Sequence, residues 1–275
     1  MQTKSDPVNI LTKTIATDML QVPTIAALEE ELGRRRASSR IAFVPTMGAL
    51  HDGHLSLVEC AHQHADIVVM SIFVNPRQFG PREDFARYPR PLENDERLAR
   101  ECGVDILFTP GLREIYPAPP TVTVSAGAMG EKWEGEVRPG HFDGVLTVVA
   151  KLFNIVRPQV AVFGQKDLQQ AALVQRMVSD LNMPVSVVVA DTVREPDGLA
   201  MSSRNRFLDA DGRRTSLALS RALSATVEAF TSGEESPRKL EQIGRALLAE
   251  ERLSARCVAL RRVSDRAASG GEKSR

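Results

Sequence analysis

The sequence predicts an α/β protein: a parallel sheet with helices on both faces, followed by a smaller C-terminal domain. Three observations predict it. Short continuous apolar runs recur through the first 190 residues, stretches of helical periodicity separate them, and after residue 209 the pattern changes to a pair of amphipathic helices. Apolar runs without alternation belong to strands buried on both sides, and strands separated by helices pair in parallel because each helix returns the chain to the same end of the sheet.

Residues 1–22 mix Lys4, Asp6, Lys13 and Asp18 with scattered apolar side chains, which makes neither a signal peptide nor a transit peptide and predicts a loose extension. Residues 24–32 place Ile25, Leu28 and Leu32 on one helical face, with Thr24 as cap and Gly33 as terminator. Residues 41–44 are a β-prone run that stops at Pro45, and 54–65 restore helical spacing through Leu57, Val58, Ala61 and Ala65. A strand over 67–74, a helix over 92–102 and a strand over 104–109 continue the alternation. A helix over 145–156, a strand over 159–163, a helix over 168–181 and a strand over 185–190 complete it. The arrangement is Rossmann-like, and such sheets bind ligands at the carboxyl ends of their strands. The ligand-binding domain is expected over 23–208 and the smaller domain over 209–264, built from helices over 212–230 and 237–250 and a strand over 256–263, with a polar tail over 265–275.

Composition narrows the function. Hydrophobic residues make up 43% and charged residues 25% of the 275, an ordinary globular balance that excludes disorder. No apolar run approaches the roughly 20 residues that span a bilayer. Thirty-five basic residues offset thirty-five acidic ones, so no nucleic-acid partner held by bulk charge is expected, while a local basic pocket for a small anion is compatible with it. The cysteines, Cys60, Cys102 and Cys257, are odd in number and far apart, which fits a reducing, cytoplasmic location.

Three post-strand loops carry chemistry. The first, Pro45-Thr46-Met47-Gly48-Ala49-Leu50-His51-Asp52-Gly53-His54, opens into a helix, where unpaired backbone N–H groups and the positive end of the helix dipole attract phosphate. Imidazole N–H donors at that point can hold the charge that grows as a phosphorus is attacked. A metal pair is the alternative for His51 and His54, but no third ligand stands at zinc-like spacing; plain helix-cap residues are the other. His62 and His64, late in the same helix, suit its C-terminal end. The second loop, Gly164-Gln165-Lys166-Asp167, brings an ammonium to the carboxyl end of a strand, and its bland reading is a solvated helix start. The third, Met201-Ser202-Ser203-Arg204, supplies two hydroxyls and a guanidinium in a loop able to close on phosphate; a serine-rich turn with a surface arginine is its alternative.

An HxGH turn followed late in the domain by Met-Ser-Ser-Arg resembles the nucleotidyltransferase superfamily that includes class I aminoacyl-tRNA synthetases. The stretches PTMGALHDGH, SIFVNPRQFGPREDFARYPR, RPGHFDGVLTVVAKLFNIVRP, VAVFGQKDLQQ and TVREPDGLAMSSRNRFLD resemble, more narrowly, the pantothenate synthetase family, ATP-dependent pantoate–β-alanine ligases. The resemblance covers most of residues 41–209. It implies a reaction in which AMP passes from ATP to the pantoate carboxylate with loss of pyrophosphate, after which β-alanine attacks the adenylate. It implies phosphate contacts at His51, His54, Lys166, Ser202, Ser203 and Arg204. It also implies ATP-binding positions at Pro45, Thr46, Met47, Gly164, Asp167 and Met201, and pantoate contacts at Gln78, Gln170 and Asn75, with Glu134 and His141 flanking. Carboxamides suit a ligand of two hydroxyls and a carboxylate because they bond without adding charge. Magnesium is expected by the same resemblance, with Asp95 at an acidic position near it, although Glu93, Asp95 and Glu96 also read as the first turn of a helix. A homodimer is implied, to which a strand and loop near residues 122–125 could contribute.

The chain departs from the family's pattern at its end. Several strands usually follow the helices of a small lid domain there, whereas here only 256–263 matches the first of them, so a shortened lid and some ATP hydrolysis uncoupled from ligation are expected. The rival reading within the superfamily transfers AMP to an acceptor phosphate, for which Gln78 and Gln170 supply no charge; a nucleotide-binding relative without full ligase activity is the other.

Overall fold

Six strands form one fully parallel sheet in the computed structural model, which describes residues 19–251 together with 253, 258 and 259. The strands are β1 (Leu20–Val22), β2 (Ile41–Thr46), β3 (Ile67–Ile72), β4 (Ile106–Phe108), β5 (Val160–Gly164) and β6 (Ser186–Ala190). The helices are α1 (Ile25–Arg35), α2 (Asp52–His62), α3 (Leu92–Glu101), three single turns α4 (Leu112–Ile115), α5 (Gly127–Gly130) and α6 (Glu134–Val137), then α7 (His141–Val156), α8 (Leu168–Asp180), α9 (Ala210–Thr231) and α10 (Pro237–Glu250). Every strand and long helix expected within the described residues is present. All but two residues of the expected strand over 256–263, and the polar tail, lie outside them.

Two expectations are corrected. Leu20–Val22, assigned to the loose extension, is an edge strand paired in parallel with β4, Leu20 opposite Ile106 and Val22 opposite Phe108. Val22 is buried against the core, and that burial gives three residues of weak periodicity a place in the sheet. Residues 122–125 form no strand; Val124 is held instead through its backbone N–H to Thr147 Oγ1.

Successive strand residues point to opposite faces, and the core divides accordingly. Ile41, Phe43, Val69, Phe108, Ala161 and Phe163 pack under α1, α7 and α8, whereas Ala42, Val44, Val68, Met70, Leu107 and Val162 pack under α2 and α3. Full burial of a side chain such as Phe43 or Phe108 is worth about 1.5–3 kcal/mol. The strand order β1-β4-β3-β2-β5-β6 reverses direction of growth between β2 and β5. That reversal opens a crevice at the carboxyl ends of those two strands.

A C-terminal helical pair, α9 and α10, follows the polar turns after β6. Ala218 and Ala222 of α9 pack with Leu248 of α10 around a small core of their own. Arg213 of α9 is paired with Glu195 and Asp197, each at 2.6 Å, which ties the start of that helix to the preceding turn.

Candidate active site

The crevice between β2 and β5 is a cleft partly open to solvent, and three separate loops reach it. Pro45, Thr46, Met47, His51 and His54 come from the end of β2 and the start of α2; Gly164, Lys166 and Asp167 from the end of β5 and the turn after it, with Gln170 from the start of α8; Met201, Ser202, Ser203 and Arg204 from the loop before α9. Gln78 lines it from the turn after β3. Apart from Asn75 and Asp95, every residue singled out as catalytic or binding in the sequence therefore meets the others at one sheet edge.

The histidine turn is built tightly. Gly48 (φ 81°) and Ala49 (φ 52°) both have left-handed backbone. A Cβ at Gly48 would stand 2.8 Å from Asp95 Oδ2 and 2.9 Å from Ile72 Cγ2, so only glycine fits. His51 then caps α2: its Nδ1 accepts the Gly53 N–H at 3.1 Å, and His54 Nδ1 accepts the His51 N–H at 3.3 Å. A ring nitrogen that accepts carries no proton, so each imidazole holds its single proton on Nε2. The rings lie 4.1 Å apart, centroid to centroid. Burial, followed by the neighbouring His51 and Lys166, lowers the His54 pKa to about 3, and burial with Lys166 lowers that of His51. Both are neutral N–H donors near pH 7. His62, in the last turn of α2, places Nε2 3.1 Å from the Gly103 carbonyl, a structural contact.

Asp95 and Asn75 serve the site from behind. Asp95 is 1% exposed and its two oxygens accept the N–H groups of Ala49 and Leu50, each at 2.8 Å. It holds the turn that aims the histidines and is not among the residues lining the cleft. Burial raises its pKa even though these bonds favour the carboxylate. Asn75, also 1% exposed, donates to Gln78 Oε1 and the Gly144 carbonyl at 3.1 Å each and accepts from Tyr116 OH at 3.2 Å. It is a support for Gln78, not a lining residue. Gly144 permits this approach, because a Cβ there would stand 2.2 Å from the Arg77 carbonyl oxygen.

Gln78 is fixed on three sides: by Asn75, by Met47 Sδ at 3.1 Å from its Nε2, and at its carbonyl by buried His141 at 2.8 Å. Glu134 pairs with Arg138 at 2.6 Å, and Arg138 in turn reaches His141 Nε2 at 3.0 Å, so the two flanking residues are structural here. Lys166 stands 3.3 Å from Asp167. Arg204 is held by Asp84 at 2.8 and 2.9 Å, and Tyr88 OH lies 3.3 Å from Ser203 Oγ. Sequence reasoning missed Asp84 and Tyr88, although both lie in the quoted stretch between Ser71 and Arg90. Phe73, Val145 and Leu152 give the cleft an apolar wall that was also missed.

Among the described residues no three His, Cys, Asp or Glu side chains gather as a metal-binding group, and only Asp167 and Asp191 bring carboxylates to the cleft. The described residues thus build no cation cage of their own. No helix among those described is long and apolar enough to cross a membrane, and Cys60 and Cys102 are free thiols.

Comparison with known proteins gives a consistent result. A family model described as pantoate-beta-alanine ligase matches residues 21–271. The pantothenate synthetase of Acidothermus cellulolyticus is 53% identical over 250 residues, covering 90% of this chain and 82% of the relative, and that of Leifsonia xyli is 59% identical over 197, covering 71% and 68%. The crystal structure of pantothenate synthetase from Thermus thermophilus superposes with a TM-score of 0.80 at 50% identity, covering 84% of this chain and 83% of that one. The pantoate-beta-alanine ligase of Francisella tularensis, solved in complex with beta-gamma ATP and beta-alanine, superposes at 0.71 with 33% identity, covering 83% and 86%. On the length and identity of these matches, the chain belongs to the pantoate-beta-alanine ligase family.

Proposed function

We propose that the chain condenses pantoate with β-alanine at the expense of ATP, through a pantoyl adenylate and with release of pyrophosphate and AMP. One observation carries the reading: a neutral imidazole pair, an ammonium and a guanidinium converge on the same cleft as two carboxamides. The first set suits a triphosphate and the second a hydroxy acid.

In the first step a pantoate carboxylate oxygen attacks the α-phosphorus, the bond to the bridging oxygen breaks and pyrophosphate leaves. The acid is already ionised near neutral pH, so catalysis rests on positioning and on holding the developing charge. His51 and His54 donate from Nε2 to phosphate oxygens; Lys166, Ser202, Ser203 and Arg204 hold the remaining negative charge. Pro45, Thr46, Met47, Gly164, Asp167 and Met201 seat the nucleoside. Gln78 and Gln170 bond the pantoate hydroxyls and carboxylate, with its methyl groups against Phe73, Val145 and Leu152. The Gln78 amide is spared for this because its present partner, a thioether, is a weak acceptor. In the second step the deprotonated amine of β-alanine attacks the acyl carbon and AMP departs. Magnesium would enter with the nucleotide, neutralising β- and γ-phosphate charge from the phosphate side. The smaller domain acts as the lid, and a cytoplasmic homodimer fits the free thiols and the family resemblance.

Incubation with pantoate, β-alanine and ATP is expected to yield pantothenate with AMP and pyrophosphate. ADP and inorganic phosphate as the products would contradict the adenylate route.

A further inference from the structure

We propose that Asp84 is a positioning residue for the phosphate clamp, fixing the Arg204 guanidinium by one edge so that its other edge is held ready for a phosphate oxygen. The inference rests on the reading of Arg204 as a phosphate contact given above. Asp84 and Arg204 are 120 residues apart, and the carboxylate takes the guanidinium in the bidentate fork: Nε to Oδ2 at 2.8 Å and Nη2 to Oδ1 at 2.9 Å. The guanidinium carbon also sits 5.5 Å from the centre of the buried Tyr88 ring, whose hydroxyl reaches Ser203. One face and one edge of the guanidinium are thus occupied. Of its five N–H groups two are used, and among the described residues Nη1 makes no hydrogen bond.

The loop that carries Asp84 is itself pinned. Its neighbour Glu83 takes the Arg138 guanidinium at 2.8 and 2.6 Å, and Arg138 also reaches the Gln78 carbonyl at 3.3 Å. Two adjacent carboxylates therefore grip two arginines, one beside each substrate's expected place. A free arginine loses much rotamer freedom when it binds an anion; one already held in a fork has lost it beforehand. The Asp84 charge opposes an incoming phosphate, but it stands beyond the guanidinium, in a site where the arginine side chain is 45% exposed and solvent screens the repulsion. Orientation outweighs repulsion.

The test is a double-mutant cycle on the ATP–pyrophosphate exchange rate with pantoate present, using Asp84→Asn, Arg204→Ala, both together, and Asp84→Glu. Asp84→Asn is expected to lower kcat/KM for ATP by about 5- to 50-fold, with KM for pantoate unchanged, and to have no further effect once Arg204 is alanine. Asp84→Glu should recover most of the loss. Thermal unfolding should barely move, since a partly exposed pair contributes little to stability. Unchanged or improved ATP use in Asp84→Asn, or an equal loss with and without Arg204, would overturn the proposal. If Arg204→Ala itself leaves ATP use unaltered, the clamp assignment fails first and the proposal falls with it.

Discussion

Alanine in place of His54 is expected to slow adenylation about 10²- to 10³-fold, the usual cost of removing one preorganised donor from a developing oxyanion. The substitution removes the Nε2 donor and also the Nδ1 acceptor that closes the turn onto the His51 N–H. Glutamine at this position can keep the cap, since its Oε1 can accept the His51 N–H as in an ordinary capping box, so a rate that stays near that of alanine assigns the loss to the Nε2 donor. The protonation state sharpens the expectation. With a pKa lowered to about 3, His54 stays neutral through the whole working range, and the rate profile of the free enzyme should show no limb from this residue near pH 6.5. Stability behaves differently. Below about pH 6.5 the unfolded chain takes up a proton that the folded His54 refuses, so the folded state loses stability as pH falls from there towards 3, and the alanine variant lacks that component. Unfolding midpoints measured across pH 4–7 for both proteins check the sign.

Asp95→Ala carries the second large effect, on stability and activity together. It strips two backbone N–H groups, those of Ala49 and Leu50, of the carboxylate acceptor that satisfies them in a site 1% exposed. Each buried orphan costs about 1–3 kcal/mol, so a loss of roughly 2–6 kcal/mol is expected in denaturant unfolding. The turn that places His51 and His54 would relax with it, and adenylation should fall in parallel. Asp95→Asn retains one acceptor oxygen and should lie between. If Asp95 were instead a metal neighbour, the loss would be relieved by raised magnesium and the unfolding midpoint would stay in place.

Much of this is legible in the sequence. β2, β3 and β5 announce themselves because strands buried on both faces need continuous apolar runs, and the helices between them because each buries only one stripe. The loop after β2 was legible because glycine, histidine and a helix start coincide within ten residues. What escaped depends on approach across long separations. β1 is three residues long and gains its place only through Phe108 and its neighbours on β4. The start of α7 at His141 was hidden by Gly140, whose left-handed φ of 78° ends the preceding turn, and by Gly144, which looks like a helix breaker until the Arg77 carbonyl is seen against it. Asn75 and Asp95 carry the right chemistry for a ligand, and only the folded chain reveals their burial and the backbone and side-chain partners they hold. The pairing of Asp84 with Arg204 has no local signature at all.

The central claim is that donors from three loops act on one triphosphate so that an acid is activated as its mixed anhydride. Exchange of labelled pyrophosphate into ATP, run without β-alanine, measures that step alone. The account predicts exchange that requires pantoate and nearly vanishes in His54→Ala; exchange that proceeds equally with pantoate omitted would contradict it.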